Sequence, residues 1–165
     1  MKSVKTEKIE KTNVMRILDQ KKIPYQSYCY AGTQAVSGVE VAKVLKQNPA
    51  QVFKTLVTVS GTGGHFVFVI PVGKELDLKK AAKAVNQKSI QMLKSKELLP
   101  LTGYIHGGCS PIGMKKFFTT VIDLSAKDQE SVIFSAGKIG YQVELTLADL
   151  EKVITFSLDD ITVSE

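Results

Sequence analysis

VFKTLVTVSGTGGHFVFVIPV, residues 52–72, is the strongest β-strand signal in the chain. Two runs rich in β-branched and aromatic residues, 52–59 and 65–72, flank the glycine-rich segment 60–64. This arrangement predicts two antiparallel strands joined by a hairpin. Because both alternating faces of the first run are largely apolar, we expect that strand to lie in the interior of a sheet.

The segment before the hairpin predicts two helices and one strand. Thr12 or Asn13 can cap a first helix, which we expect to end before Pro24. Residues 25–30 alternate in polarity as a strand does. Residues 37–40, SGVE, form a capping-box pattern that begins a second helix.

The segment after the hairpin continues to mix helices and strands. Asp77 can cap a helix over residues 78–85, and Thr146 can cap a last helix that ends near residue 154. The remaining predicted elements are a short helix at 95–98 and strands at 89–92, 119–124, 131–135 and 141–145.

These elements predict an α+β (mixed α/β) fold, a single domain with a central mixed, mostly antiparallel β-sheet flanked by helices. A length of 165 residues suits one such domain. We expect a flexible N-terminal segment at residues 1–11, the folded domain at 12–155 and a C-terminal tail at 156–165.

The composition narrows the classes of partner and compartment. A net charge of +6 suits a polyanionic partner, and it also suits an ordinary solvated surface. Cys29 and Cys109 lie far apart in a sequence without an export signal, so we expect reduced thiols and a cytoplasmic protein. The sequence has no membrane-length apolar run and no ligand-spaced Cys, His or carboxylate motif, so we expect neither a membrane span nor a metal site.

A second glycine-rich stretch is YIHGGCSPIGMKK, residues 104–116. Glycine lets a ligand approach the main chain closely, and proline fixes one backbone dihedral. Such a loop can direct several backbone N–H groups towards a carbonyl oxygen, an oxyanion or a phosphate. A tight surface turn is the alternative interpretation.

Three further features have both a structural and a chemical interpretation. Lys54 interrupts an apolar strand, so its ammonium must reach water, pair with a carboxylate or serve a ligand. Residues 135–140, SAGKIG, lack the GxxxxGK[ST] spacing, which argues against a nucleoside-triphosphate site and favours a tight turn. Cys109 and His106 are close enough to form a nucleophile and base, although a cysteine that fills space in a tight loop is the more common case.

Several segments, taken in order and spacing, resemble the YbaK/EbsC family of aminoacyl-tRNA deacylases. They are VFKTL at 52–56, LDLKK at 76–80, GY at 103–104, GGCSPIG at 107–113 and SAGKIG at 135–140. The resemblance runs from about residue 12 to residue 154. The family is related to the editing domain that is inserted in bacterial prolyl-tRNA synthetases.

The resemblance implies a mixed-sheet fold with a cleft, and proofreading of mischarged tRNA in trans. The typical substrate is cysteine attached to tRNA(Pro), with Cys-tRNA(Cys) as a further candidate. Partners would be the acceptor end of the aminoacyl-tRNA and a transiently bound prolyl-tRNA synthetase, with no cofactor and no metal. Lys54 would be the catalytic residue, contacting the substrate's backbone or terminal ribose-phosphate. The implied substrate-binding residues are Tyr30, Thr55, Gly107, Gly108, Ser110, Pro111, Gly113, Ser135, Gly137, Lys138 and Gln142.

The resemblance also implies a mechanism without a protein nucleophile. The substrate's own thiol attacks the ester carbonyl, closes a thiolactone and releases the tRNA, so the protein only orients the substrate and stabilises charge. Two departures leave the preferred amino acid open between cysteine and alanine or another small residue. The expected aromatic pocket wall is absent at residues 36–38, and Gln142 stands where some relatives carry an acid.

Other functions remain open at this point. They are a non-catalytic module that binds tRNA or a synthetase, a deacylase that uses water as the nucleophile, and a small-molecule ester hydrolase that uses Cys109 with His106.

Overall fold

A computed structural model describes residues 11–164. The helices are α1 Asn13–Gln20, α2 Gly38–Val44, α3 Leu78–Ala84, α4 Ser95–Thr102 and α5 Leu147–Leu150, with a 3₁₀ helix at Leu124–Asp128. The strands are β1 Gln26–Cys29, β2 Phe53–Ser60, β3 His65–Pro71, β4 Ile90–Met92, β5 Thr119–Asp123, β6 Val132–Ser135, β7 Tyr141–Leu145 and β8 Ser157–Asp159. Except for Lys11, the predicted flexible N-terminal segment lies outside the described residues.

The strands form two sheets. A five-stranded sheet has the order β4-β2-β3-β5-β8, and a three-stranded sheet has the order β1-β7-β6. Only the β3–β5 and β5–β8 pairs are parallel, so the α+β class and the mixed, mostly antiparallel pairing are confirmed. In place of the one central sheet expected from the sequence, the strands divide at a single bridge between Val52 and Ile133. One bridge does not continue into a ladder, and the two sheets remain separate.

The predicted hairpin is the centre of the larger sheet. Strands β2 and β3 pair antiparallel over their full length, and β3 also pairs with β5. One face of the hairpin, with Val57 and Val67, packs against α1 and the smaller sheet in the largest core cluster. The opposite face, with Phe68 and Ile70, packs against α3. Since each fully buried aliphatic side chain contributes roughly 1.5–3 kcal/mol, burial on both faces makes this hairpin the most strongly held part of the fold.

The predicted helix caps are confirmed. Met15 N donates to the Thr12 hydroxyl at 3.2 Å. Ser37 and Glu40 form a complete capping box at the start of α2. The carboxylate of Asp77 accepts hydrogen bonds from two N–H groups of α3. Thr146 caps α5, which ends at Leu150 and is therefore shorter than the sequence predicts.

Residues 156–164 are not a tail, and the predicted domain boundary at residue 155 is too early. Strand β8 pairs parallel with β5, and Ile161 is completely buried. Asp77 N donates to Ile161 O at 2.9 Å, and the Lys80 ammonium donates to Thr162 O at 2.8 Å. A three-residue strand with exposed ends has too short an alternation to be recognised in the sequence.

Among residues 11–164, none of the helices has the length and apolar character needed to cross a membrane.

Candidate active site

A cleft of about 630 Å³ lies beside the N-terminal half of β2. Its walls come from residues 52–57 of β2, the start of α2, residues 92–98 and the glycine loop around Gly107. A volume of this size falls within the range of small-ligand sites, about 300–1,000 Å³. The lining is mainly apolar, with a few polar groups that can orient a ligand.

The cleft follows an edge of the larger sheet that β4 covers only in part. Strand β4 pairs with Thr58–Ser60, and Leu93 N donates to Val57 O at 3.1 Å. On the opposite side of β2, Val72 N donates to Val52 O at 2.8 Å. Because main-chain groups alternate along an antiparallel strand, the N–H and C=O of Thr55 point to the cleft side. A ligand in the cleft therefore meets main-chain donors and acceptors.

Lys54 lies on β2 directly opposite Ile70, on the strand face that packs towards α3. Its side chain is half-buried and lines the cleft. Within the described residues, no carboxylate pairs with its ammonium and no oxygen accepts a hydrogen bond from it. A partly desolvated cation without a partner attracts a carbonyl oxygen or an anionic group of a ligand.

Thr55 contributes a second polar group at the same place. Its hydroxyl oxygen is buried and has no hydrogen-bond partner among the described residues. Buried hydroxyl groups are normally hydrogen-bonded. The unused capacity of Thr55 beside Lys54 therefore marks this part of β2 as a position where a ligand supplies the partner.

The smaller sheet provides the facing polar wall. Gln142 on β7 and Ser135 on β6 are directly paired and both line the cleft. Gln142 is only 5% exposed, and its Oε1 accepts a hydrogen bond from Gln47 Nε2 at 2.8 Å. Tyr30, which also lines the cleft, is fixed by a hydrogen bond from its N–H to Gly140 O at 2.7 Å.

The two glycine-rich segments pack against each other and form the end wall. Gly107 lines the cleft. A Cβ atom on Gly108 would lie only 3.0 Å from Ile139 N, so the close approach of the two loops requires glycine at this position. The Tyr104 hydroxyl donates to Ile112 O and holds the far end of the loop.

The structure brings half of the predicted site residues together in the cleft. These residues are Tyr30, Lys54, Thr55, Gly107, Ser135 and Gln142. The others, Gly108, Ser110, Pro111, Gly113, Gly137 and Lys138, do not line it.

The residues outside the cleft support its loops or face another surface. Ser110 is completely buried, and its hydroxyl accepts a hydrogen bond from Ile112 N at 3.3 Å. Gly113 and Gly137 lie against Tyr104. Pro111 and Gly113 line a separate pocket of about 150 Å³. The Lys138 ammonium lies 5.4 Å from the centre of the Tyr141 ring. The motif spacing identified the loops correctly but could not show which of their residues face the ligand.

The predicted pair of Cys109 and His106 does not form an activated nucleophile. Both residues line the cleft, but no hydrogen bond joins their side chains, and Cys109 is only 8% exposed. Burial raises the pKa of the Cys109 thiol to about 12, so the thiol is protonated at neutral pH. The interpretation of the chain as an ester hydrolase that uses this pair is therefore wrong.

Sequence reasoning missed the wall that α2 contributes. Val36, Ser37, Gly38 and Val41 all line the cleft. A Cβ atom on Gly38 would lie 2.4 Å from Val72 Cγ1, so glycine lets α2 begin directly against β3. The expected aromatic residue is absent here, and Val36 is 85% exposed. The capping box was the signal in the sequence, because it fixes where α2 starts.

The described part of the chain contains no group of three or more His, Cys, Asp and Glu side chains placed to hold a metal ion.

A family model described as the aminoacyl-tRNA editing domain matches residues 33–153, which include every wall of this cleft. The chain belongs to this family. The resemblance inferred from the sequence is therefore confirmed.

Named relatives of this editing domain agree with the family model. An Enterococcus faecalis protein, EbsC, provisionally named a Cys-tRNA(Pro)/Cys-tRNA(Cys) deacylase, is 45% identical over 157 residues, covering 94% of this chain and 96% of EbsC. A proline–tRNA ligase of Pelobacter propionicus is 28% identical over 99 residues, which are 60% of this chain and 17% of the ligase.

Solved structures share the fold. The protein APE2540 superposes with a TM-score of 0.83 at 19% identity, covering 92% of this editing domain and 100% of that chain. A protein described as a candidate trans-editing enzyme for prolyl-tRNA synthetase superposes with a TM-score of 0.78 at 21% identity, covering 93% and 99%.

Proposed function

We propose that this editing domain is an aminoacyl-tRNA deacylase that acts in trans and removes cysteine from tRNA(Pro), with Cys-tRNA(Cys) as a second substrate. The name of the Enterococcus faecalis relative supports the substrate, because the similarity covers nearly the full length of both chains. The observation that carries the proposal is the unpaired Lys54 ammonium in a cleft without an activated nucleophile.

Lys54 has two uses in this reaction. Its ammonium attracts the terminal phosphate or ribose oxygens of the tRNA, which places the ester in the cleft. An ammonium near the ester also stabilises negative charge that develops on the carbonyl oxygen as it is attacked. The Thr55 hydroxyl and main-chain groups lie next to it on the same edge of β2 and supply neutral hydrogen bonds.

The nucleophile in this proposal is the thiol of the bound cysteine. Its sulfur forms a bond to the ester carbonyl carbon, and the bond from that carbon to the ribose oxygen breaks. The thiol proton ends on the released ribose hydroxyl, so the products are free tRNA and a thiolactone, which water then opens to cysteine. The protein's contribution is to hold the sulfur and the carbonyl carbon in an attacking geometry.

Partners and compartment follow from charge and from the substrate. The net charge of +6 suits the phosphates of an acceptor stem. The named relatives suggest an encounter with prolyl-tRNA synthetase, where misacylated tRNA(Pro) is released. We place the reaction in the cytoplasm, because mischarged tRNA is produced during protein synthesis there.

A water-mediated deacylase for another small amino acid is the second candidate. It is favoured by the exposed Val36 in place of an aromatic wall, which leaves the side-chain end of the cleft less enclosed. A wider pocket lowers the selectivity between a thiol and a methyl group, since one small group in an apolar pocket discriminates by only about 1–3 kcal/mol.

A panel of charged tRNAs tests the proposal. The protein is incubated with tRNA(Pro) that carries cysteine, alanine, serine or proline, and ester loss is followed by acid gel electrophoresis. We expect the cysteinyl ester to be lost fastest and the prolyl ester to be retained. Loss of the alanyl ester alone would support the second candidate. If every ester survives while the tRNA still binds, the chain is a non-catalytic binding module.

A further inference from the structure

Gln142 is a polar side chain placed almost entirely inside the protein at the wall of the cleft. It lies on β7 between Tyr28 on β1 and Ser135 on β6 in the strand register. It is 5% exposed. A glutamine in such a place normally has partners for both its amide oxygen and its amide nitrogen.

The orientation of this amide is fixed by a second glutamine. Gln47 Nε2 donates to Gln142 Oε1 at 2.8 Å. Gln47 Oε1 is buried without a partner among the described residues. The reverse orientation of both amides would place the N–H₂ group of Gln47 at that buried position, and orphaned donors are rarer than orphaned carbonyl oxygens. The Gln142 oxygen therefore faces Gln47, and its nitrogen is left to donate.

That nitrogen is available to a ligand. Within the described residues, no acceptor forms a hydrogen bond with Gln142 Nε2. It is also not among the fully buried unpartnered atoms, so it keeps access to the space that Gln142 lines. The wall of the smaller sheet thus presents an N–H donor to the cleft.

The charges around the cleft are positive or neutral. Lys54 and His106 line it, and none of its lining residues is an aspartate or a glutamate. Glu144, two positions along β7, is engaged elsewhere: its carboxylate accepts hydrogen bonds from Tyr28, Gln51 and Ser131. The α-ammonium of an aminoacyl ester would therefore meet no carboxylate in this cleft, and it would be repelled by Lys54.

We propose that Gln142 is a specificity-determining residue whose amide nitrogen donates to an oxygen or sulfur of the bound acyl group, so that the cleft recognises the acyl group without using the charge of its α-amino group. This inference rests on the proposed function. The substrate class then includes esters whose α-amino nitrogen is acylated. The main-chain acceptors on the edge of β2 fit this class, because a carbonyl oxygen accepts a hydrogen bond from an amide N–H as well as from an ammonium.

Binding of two non-hydrolysable analogues tests the inference. They are 3′-cysteinylamino-3′-deoxyadenosine and its N-acetyl form, in which an amide replaces the ester. Titration calorimetry on the wild-type protein is expected to give Kd values within about threefold of each other. In Gln142→Glu, which keeps the shape and the Gln47 hydrogen bond, the free-amine analogue should bind about tenfold tighter than the N-acetyl analogue, since hydrogen bonds to charged groups contribute about 1.5–3 kcal/mol.

Two variants keep the result interpretable. Gln20→Glu, an exposed position on α1, adds the same charge outside the cleft and should leave the Kd ratio at the wild-type value. Gln142→Met removes the donor without adding charge, and it should weaken both analogues by a similar factor of about fivefold. It also provides a test if Gln142→Glu does not fold.

The outcomes separate this inference from the proposed function. A wild-type protein that binds the free-amine analogue tenfold tighter, a Gln142→Glu protein with an unchanged ratio, or a Gln142→Met protein with unchanged affinities would overturn the inference. Deacylation of neither Cys-tRNA(Pro) nor its N-acetyl form would overturn the proposed function, and the Kd ratio of the analogues would still decide the role of Gln142.

Discussion

Lys54 and Glu144 both place a charge on a strand beside the junction of the two sheets, and their surroundings are opposite. Glu144 accepts hydrogen bonds from Tyr28, Gln51 and Ser131, which come from three different parts of the chain. Lys54 has no such partner among the described residues, although it too is half-buried.

The two sites differ in who completes them. The protein itself completes the Glu144 site, where the carboxylate ties β1, β6–β7 and the segment before β2 together. This bond to Glu144 raises the pKa of Tyr28 to about 12. The Lys54 site needs a group from outside the protein. A charge that the fold satisfies contributes to stability, whereas a charge that the fold leaves unsatisfied is available for a ligand.

Replacing Lys54 has the largest expected effect on activity. We expect Lys54→Ala to lower the single-turnover rate of Cys-tRNA(Pro) deacylation by about 10²–10³-fold, since preorganised charge stabilisation contributes about that much in other enzymes. The melting temperature should stay within about 2 °C of wild type, because no bond within the described protein is lost.

A matched control uses Lys83→Ala, an exposed lysine on α3, which should keep wild-type activity and stability. Full activity in Lys54→Ala, or a large fall in its melting temperature, would contradict the assignment of Lys54 as the catalytic residue.

Replacing Glu144 should have the opposite result. We expect Glu144→Ala to lower the free energy of unfolding by about 2–4 kcal/mol, because three donors lose a charged acceptor. Urea unfolding followed by circular dichroism measures this change. Activity per folded molecule should stay within about threefold of wild type. An equal loss of stability in Glu151→Ala, an exposed site, would show that the effect is not specific to this cluster.

Cys109 provides a prediction about alkaline pH. Burial raises its pKa from an ordinary value of 9.0 to about 12 in the folded state. The unfolded chain therefore loses this proton first, and stability that is fully present below pH 9 is lost as the pH rises towards 12. In Cys109→Ala this contribution is absent, so the melting temperature should fall less steeply between pH 9 and 11 than in wild type. Identical slopes would show that the thiol is not held in its neutral form.

Salt dependence gives the smallest expected effect. Few lysines lie near the cleft, so the slope of log affinity for tRNA against log salt concentration should be shallow, about −2 to −4. If Lys54 contacts a phosphate, Lys54→Ala should make the slope less negative by about one. Filter binding at several salt concentrations measures it, and an affinity independent of salt would favour recognition by stacking.

The regular elements follow from the sequence because their signals are local. Alternation over residues 52–72 and the caps at Thr12, Ser37 and Asp77 predicted the hairpin and three helix starts. The division into two sheets and the burial of Ile161 depend on contacts between distant segments. Local periodicity carries no information about such contacts.

The site shows the same limit. Lys54 was identifiable because an ammonium breaks an apolar pattern, and the glycine loops because their spacing matches a family. The lining by α2 and the availability of Gln142 Nε2 depend on how Gly38 approaches β3 and on the hydrogen bond from Gln47. Neither relation has a signature within a single segment of sequence.

The central claim is that the substrate brings its own nucleophile to a cleft that supplies Lys54 but no activated thiol. The most direct measurement compares single-turnover deacylation of Cys-tRNA(Pro) and Ser-tRNA(Pro) by the wild-type protein at neutral pH. Because a hydroxyl is far less ionised and less nucleophilic than a thiol, we expect the cysteinyl ester to react at least about 100-fold faster. Comparable rates for the two esters would contradict the claim, since water or a protein group would then be the nucleophile.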